Sequence, residues 1–270
     1  MNRTLSHRQM NYRWATGFRA WLCSWFLLVF SGAWIGLRGA EAAADFEKAS
    51  QLYAQGKFAE SAAAYHAMLQ AGFGSGEAYY NLGNALFKSG QVGRAIAAYR
   101  QAQLFLPRDP DLRANLRFAR QQAGGGNVPR ESWLGNLLAS LTINEWTLLA
   151  VACWWCWLGL SALGFWRVEW AAGLSRYVWL SGLLTACTVG GMGARLYQLS
   201  ANPMGVIVAG EAAVRYGPLP DSKTLCTLAD GTEVIVLEQR EQWVQVRDSA
   251  RRDGWVPREN IAIITGIGAK

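Results

Sequence analysis

Histidine is nearly absent from this chain. The 270 residues contain two, His7 and His66, so a histidine metal site or a Ser-His-Asp triad lacks its parts. The 19 acids are scattered at surface-like positions, and no pair is set apart by its spacing for general acid-base work. The glycine run Gly72-Phe73-Gly74-Ser75-Gly76 follows no strand and has no Gly-Lys-Ser/Thr ending, so it reads as a turn between helices and not as a phosphate loop. These gaps argue against an enzyme, and no cofactor or metal is expected.

Cysteine is sparse and badly placed for cross-linking. Four of the five, Cys23, Cys153, Cys156 and Cys187, fall in apolar runs and Cys226 stands alone, so no soluble disulfide framework is available. Cys153 and Cys156 have a redox-type spacing, but Trp154, Trp155 and Trp157 surround them in an uncharged run. They are expected to be small lipid-facing side chains and not a thiol pair.

Charge is unevenly distributed. The formal net charge is +7, yet residues 1–42 hold five arginines and one acid, which leaves little excess elsewhere and no basic patch for nucleic acid. What the middle of the chain has instead is tryptophan. Eight of 14 (Trp133, Trp146, Trp154, Trp155, Trp157, Trp166, Trp170 and Trp179) lie within about fifty residues where charges are scarce, a pattern that points to lipid.

The start reads as a secretory leader: arginines to Arg19, an apolar run from Ala20 to Leu37, then small residues around Ala40-Glu41-Ala42. The apolar run suits a cleaved signal peptide or an uncleaved anchor. Either way the arginines hold the N-terminus in the cytoplasm and send the chain from Asp45 onward across the membrane.

Internal repetition comes next. Gly56-Lys57-Phe58 and Gly90-Gln91-Val92 lie 34 positions apart and their flanks keep the register, the period of a helix-turn-helix repeat. The copy from Glu77 to Pro110 resembles the tetratricopeptide family at Tyr79, Leu82, Gly83, Leu86, Gly90, Ala95, Tyr99, Ala102 and Pro107. The copy from Asp45 to Phe73 is looser, with Ser61 and Met68 where alanines are usual. A further helix, Asp111 to Gln122, carries Arg113, Arg117 and Arg120 and is expected to cap the stack with a solvated face.

A glycine-rich linker comes after it, then an uncharged stretch from Trp133 to Ile143 suited to the membrane interface. Residues 146–166 and 177–194 are uncharged for 21 and 18 positions, about enough to cross a hydrocarbon core of roughly 30 Å. A connection carrying Arg167, Glu169 and Arg176 is expected between them. From Gly205 the texture changes to short alternating stretches at 206–208, 213–215, 233–237, 243–247, 254–256 and 261–264, separated by turn residues, which predicts a small all-β barrel. The expected class is therefore multi-domain, α plus membrane plus small β. The segments are a leader at 1–44, repeats with a capping helix at 45–122, a linker and interfacial segment at 123–143, two transmembrane helices within 144–195, and the barrel at 205–266.

Trp243-Val244-Gln245-Val246 followed by Gly254-Trp255-Val256-Pro257-Arg258-Glu259-Asn260-Ile261 resembles the last strands of SH3 domains. Ala213-Val214-Arg215-Tyr216-Gly217-Pro218 is similar to the opening of bacterial SH3 modules and differs from the Ala-Leu-Tyr-Asp-Tyr run of signalling ones. End to end, the order resembles the BatE-like proteins of Bacteroides aerotolerance operons. Two interaction modules flanking a membrane anchor, oriented by the N-terminal arginines, predict a scaffold at the bacterial inner membrane with both soluble domains in the periplasm. The resemblance implies von Willebrand factor A membrane proteins and a MoxR-type ATPase as partners, in systems linked to stress or oxidant tolerance. Bacterial SH3 modules also imply peptidoglycan as an alternative ligand.

Binding residues are the remaining candidates. Tyr80, Asn84 and Lys88 step by four along one side of a repeat helix; there an amide and an ammonium would suit an extended peptide and its carboxylate, and ordinary solvated positions are the other reading. On the barrel, Tyr216, Trp243 and Trp255 are candidates for a ligand surface, with Trp255 equally suited to the core. Asn81 and Asn115 are expected to cap backbone groups at repeat junctions.

Overall fold

The computed structural model describes residues 41–124, 133–201 and 203–264. The expected leader, apart from residues 41–44, and most of the glycine-rich linker lie outside the described residues.

Helices form first. Helix α1 occupies residues 41–54, followed by α2 (Phe58–Gln70), α3 (Gly76–Lys88), α4 (Val92–Phe105) and α5 (Pro110–Gln122). Ser75 caps α3 by accepting from the Ala78 N–H at 3.1 Å, and Asp109 caps α5 by accepting from Leu112 N–H at 2.8 Å, with Pro110 in the first turn where it removes no helical bond. The core between these helices is small on one side and large on the other. A Cβ on Gly83 would sit 2.5 Å from the Tyr99 ring, so glycine there lets α3 and α4 close on the tyrosine. In the looser first copy, Ser61 is fully buried and satisfies itself by donating to the Ala49 carbonyl at 2.9 Å.

Three more helices complete the α part: α6 (Trp133–Ala139), α7 (Ile143–Trp166) and α8 (Val168–Ala201). A capping box starts α7, with Thr142 and Glu145 satisfying each other's backbone N–H groups. The helices α7 and α8 form an antiparallel hairpin, because Trp146 lies against Gly191 while Trp157 lies against Gly182. Thr185 and Thr188 are buried and return their hydroxyls to their own helix backbone, as small polar residues do between apolar helices.

The expected connection at 167–176 is not a loop. Helix α8 begins at Val168 and Arg167 alone joins the two helices. Nothing in Val168-Glu169-Trp170-Ala171-Ala172 breaks a helix. At 34 residues α8 is about 51 Å long, well beyond a bilayer core. Its last turns pack against α6, with Gln198 beside Gly135.

The C-terminal part is a seven-stranded antiparallel sheet in the order β3-β2-β6-β5-β4-β1-β7, built from β1 (Met204–Ile207), β2 (Glu211–Arg215), β3 (Thr224–Ala229), β4 (Glu233–Gln239), β5 (Trp243–Arg247), β6 (Asp253–Pro257) and β7 (Ile261–Ile263). Six of these were anticipated and β3 was not; its Thr-Leu-Cys-Thr-Leu-Ala run alternates poorly. Val234, Val236, Val244, Val246 and Val256 point inward and are fully or almost fully buried, the alternation expected of a half-buried sheet.

Candidate functional site

Three surfaces qualify, and they differ in how completely they are built.

The first is the inner face of the repeats. Tyr80 and Asn84 project from α3, but they do not stand open. Tyr99 donates its hydroxyl to Asn84 Oδ1 at 2.8 Å, and Asn115 Nδ2 donates to Asn84 Oδ1 and to Tyr80 Oη, both at 3.0 Å. The expected peptide-binding amide is thus engaged in holding α3, α4 and α5 together. Asn115 bonds side chains there instead of capping a backbone group. Burial, with Tyr80 and Tyr53 nearby, pushes the Tyr99 hydroxyl well above its usual range, so it remains a donor. Lys88 is exposed, and so is Phe118 of α5, whose ring is tilted against Phe87 with centroids 5.5 Å apart. Phe118 was not singled out in the sequence because it falls in a helix read as a polar cap.

The second surface is the outer side of the barrel. Trp243 pairs with Pro257 and Gln245 with Trp255, so both tryptophans lie on the same face of β5 and β6. Trp255 is closed: it is 7% exposed, and the Arg240 guanidinium lies 4.7 Å from its ring centroid. Trp243 is half-buried. Tyr216 is 62% exposed, in the loop after β2.

The third surface joins the two soluble parts, and sequence reasoning missed it. Glu233, at the start of β4, has a side chain only 2% exposed, gripped by arginines from two repeat helices. Arg100 of α4 reaches Oε2 through Nε at 2.7 Å and Nη2 at 2.6 Å, and Arg120 of α5 reaches Oε1 through Nε at 2.6 Å. Beside this triad, Gln91 at the N-cap position of α4 gives that helix no side-chain cap. Asp230, from the turn before β4, supplies it by accepting from the Gly93 N–H at 2.8 Å. A Cβ on Gly93 would collide with Asp230 Oδ1 and lie 2.5 Å from the Ile207 carbonyl, so only glycine allows this approach. Apolar contact completes the joint: Val206 and Ile264 belong to the same buried cluster as Ile96, Leu112 and Ala119. Arg120 was expected in solvent; it is instead mostly buried because the barrel covers the side of α4 and α5 that a further repeat helix would cover in a longer stack. Its Nη2 is buried without a hydrogen-bond partner among the described residues, and the Arg120 residue borders a cavity of about 420 Å³.

With this geometry in view, the two soluble parts can be placed among known families. Residues 52–117 match the tetratricopeptide repeat. Residues 201–262 match the bacterial SH3 domain. No curated protein matches the chain. Both families are typically interaction modules without catalytic machinery, and the two apolar helices lie between them. The chain is thus a tetratricopeptide-like helical stack, an apolar helical hairpin and an SH3-like barrel. Among the described residues no group of three or more His, Cys, Asp or Glu side chains is placed to hold a metal ion.

Proposed function

We propose that the chain is a non-catalytic adaptor anchored in the bacterial inner membrane, presenting the repeats and the SH3-like barrel as one composite binding unit on the periplasmic side. The carrying observation is the Glu233 joint between two interaction modules that flank an apolar hairpin. An antiparallel hairpin returns the chain to the side it left, which agrees with that contact.

Support for membrane anchoring comes from the hairpin surface. Helix α7 and residues 172–200 of α8 are long and apolar enough to cross a membrane, and very little of either is covered by protein. Trp179 is 81% exposed, with Trp155, Leu180 and Leu183 also open. In water such a surface drives aggregation; in lipid it is ordinary. The N-terminal arginines favour the periplasmic orientation. The resemblance to aerotolerance-operon proteins suggests von Willebrand factor A membrane proteins and a MoxR-type ATPase system as partners in stress or oxidant tolerance.

Affinity purification of the full chain from membranes tests the adaptor reading. Envelope proteins are expected to co-purify, and a Lys88→Ala/Phe118→Ala variant is expected to lose them by about tenfold. Recovery of the same proteins by both forms would remove the inner repeat face from the proposal. A second reading, peptidoglycan binding, is favoured by the exposed Tyr216 beside the tryptophan-bearing face. Pull-down with purified sacculi decides it: retention that Tyr216→Ala abolishes supports it, and no retention sinks it.

A further inference from the structure

A cavity of about 610 Å³ lies where the repeats, the end of the hairpin and the start of the barrel meet, a size typical of small-molecule sites. Four arginines line it, Arg100, Arg108, Arg113 and Arg195, and among the described residues no carboxylate does. Glu233 neutralises Arg100 and Glu145 pairs with Arg108. Arg113 donates to the backbone carbonyls of Arg108 and Asp109, contacts that leave its charge uncompensated. Among the described residues the wall therefore carries excess positive charge at Arg113. It is also apolar in part, through Leu199, Met204 and Ile264.

We infer that this cavity binds the head group of an anionic phospholipid. The inference rests on the reading that α7 and α8 lie in the membrane. At about 51 Å α8 exceeds the hydrocarbon core, so at least one of its ends leaves it; the proposal puts its last turns, with Arg195 and Leu199, at head-group level. The uncharged α6 lies beside them, with Trp133 and Leu137 exposed in the manner of an interfacial helix. A guanidinium presents a planar fork of donors to phosphate oxygens, and the apolar wall suits the glycerol and first acyl carbons. A free inorganic anion would use the arginines but gain nothing from that wall.

The test uses the full chain purified in a neutral detergent, with phosphatidylglycerol or phosphatidylcholine added to the micelles and the retained lipid counted by native mass spectrometry. Phosphatidylglycerol is expected to be retained at least about tenfold more than phosphatidylcholine, a difference of about 1.4 kcal/mol. Arg113→Gln/Arg195→Gln is expected to lower it to the phosphatidylcholine level. Arg113→Lys/Arg195→Lys keeps the charge and most of the retention, which shows that loss in the glutamine form is not misfolding. Equal retention of both lipids, or retention unchanged by the glutamine pair, overturns the proposal. Displacement by inorganic phosphate would reassign the cavity to a free anion and overturn it likewise. A carbonate wash of membranes separates the two levels of failure. Release of the chain defeats the membrane reading and the lipid site with it, whereas a chain that stays bound yet shows no lipid preference defeats the site alone.

Discussion

Helices α2 and α4 occupy equivalent places, 34 positions apart, in the two repeats. Ala59, Ala62 and His66 of the first become Gly93, Ile96 and Arg100 of the second. Ala59 and His66 face solvent, while Gly93 and Ile96 are buried and Arg100 has a side chain only 10% exposed. Neither helix has a side-chain cap of its own, yet Asp230 caps α4 from the barrel. Each change removes or adds atoms where the barrel lands: glycine for close approach, isoleucine for apolar contact, arginine for Glu233. One repeat can thus remain a generic solenoid unit while its neighbour becomes a docking surface.

The largest effect that bears on this contrast is expected at Glu233. Removing its charge with Glu233→Gln leaves two buried guanidinium groups without their counter-ion, a loss of about 3–5 kcal/mol, read as a lower urea midpoint for the full chain in neutral detergent. The matching change in the first repeat, His66→Ala, is expected to stay within about 0.5 kcal/mol, as at most exposed positions. Equal effects would erase the distinction between the repeats. A triple variant, Glu233→Leu with Arg100→Met and Arg120→Leu, sharpens the point. Buried ion clusters are often replaceable by apolar groups at little cost, so recovery of most of the lost stability is expected and would assign the triad to register and orientation more than to strength.

Gly93→Ala is the next step down. Alanine favours a helix over glycine by about 1 kcal/mol, so in an isolated repeat it would stabilise α4. Here the added Cβ meets Asp230 and the Ile207 carbonyl, and a net loss of about 1–3 kcal/mol is expected from overpacking. The sign is what matters, since a gain in the urea midpoint would mean that the barrel does not sit on α4. Asp230→Ala should cost less, about 1 kcal/mol for a lost helix cap, and the loss should disappear in a chain already undocked by Glu233→Gln.

How much of this was legible in the sequence depended on the range of the interaction. The 34-residue period, the tryptophan-rich apolar run and the alternating strands are local patterns, and each reappears as a repeat, a hairpin helix or a strand. The boundaries that slipped did so where local signals conflict: charged Arg167, Glu169 and Arg176 suggested a loop, but no residue between them prevents α8 from starting at Val168. Strand β3 lacks clear alternation and is held by its pairing with β2. The joint was invisible for another reason. Its bonds connect residues 113 to 137 positions apart, and no periodicity reports such a distance. The available clue was the mismatch between copies, Gly93 against Ala59 and Arg100 against His66, which reads as drift until a partner for the arginine is known. The candidate residues Tyr80 and Asn84 share a side of α3, but the sequence could not show that Asn115 and Tyr99 engage them.

The smallest expected effect contrasts this joint with the ion pair between Arg247 and Asp253, whose Nε and Nη2 donate to the two carboxylate oxygens at 2.6 and 2.7 Å. The contacts are as short as those at Glu233, but both partners are more than a third exposed. Solvent therefore screens most of their attraction, and Asp253→Asn is expected to cost no more than a few tenths of a kcal/mol. The Arg247 hydrogen bond holds the Asp253 carboxyl below its usual range. A depressed carboxyl contributes stability that is present above its unfolded value, about 3.9, and is lost as pH falls through the lower folded value. Urea midpoints measured at neutral pH in low and high salt provide the comparison. Raising the salt should remove the Asp253→Asn effect while leaving most of the Glu233→Gln effect, because screening acts on exposed charges far more than on buried ones. If both effects faded together, the joint would be a surface contact, and the second repeat would differ from the first in sequence only.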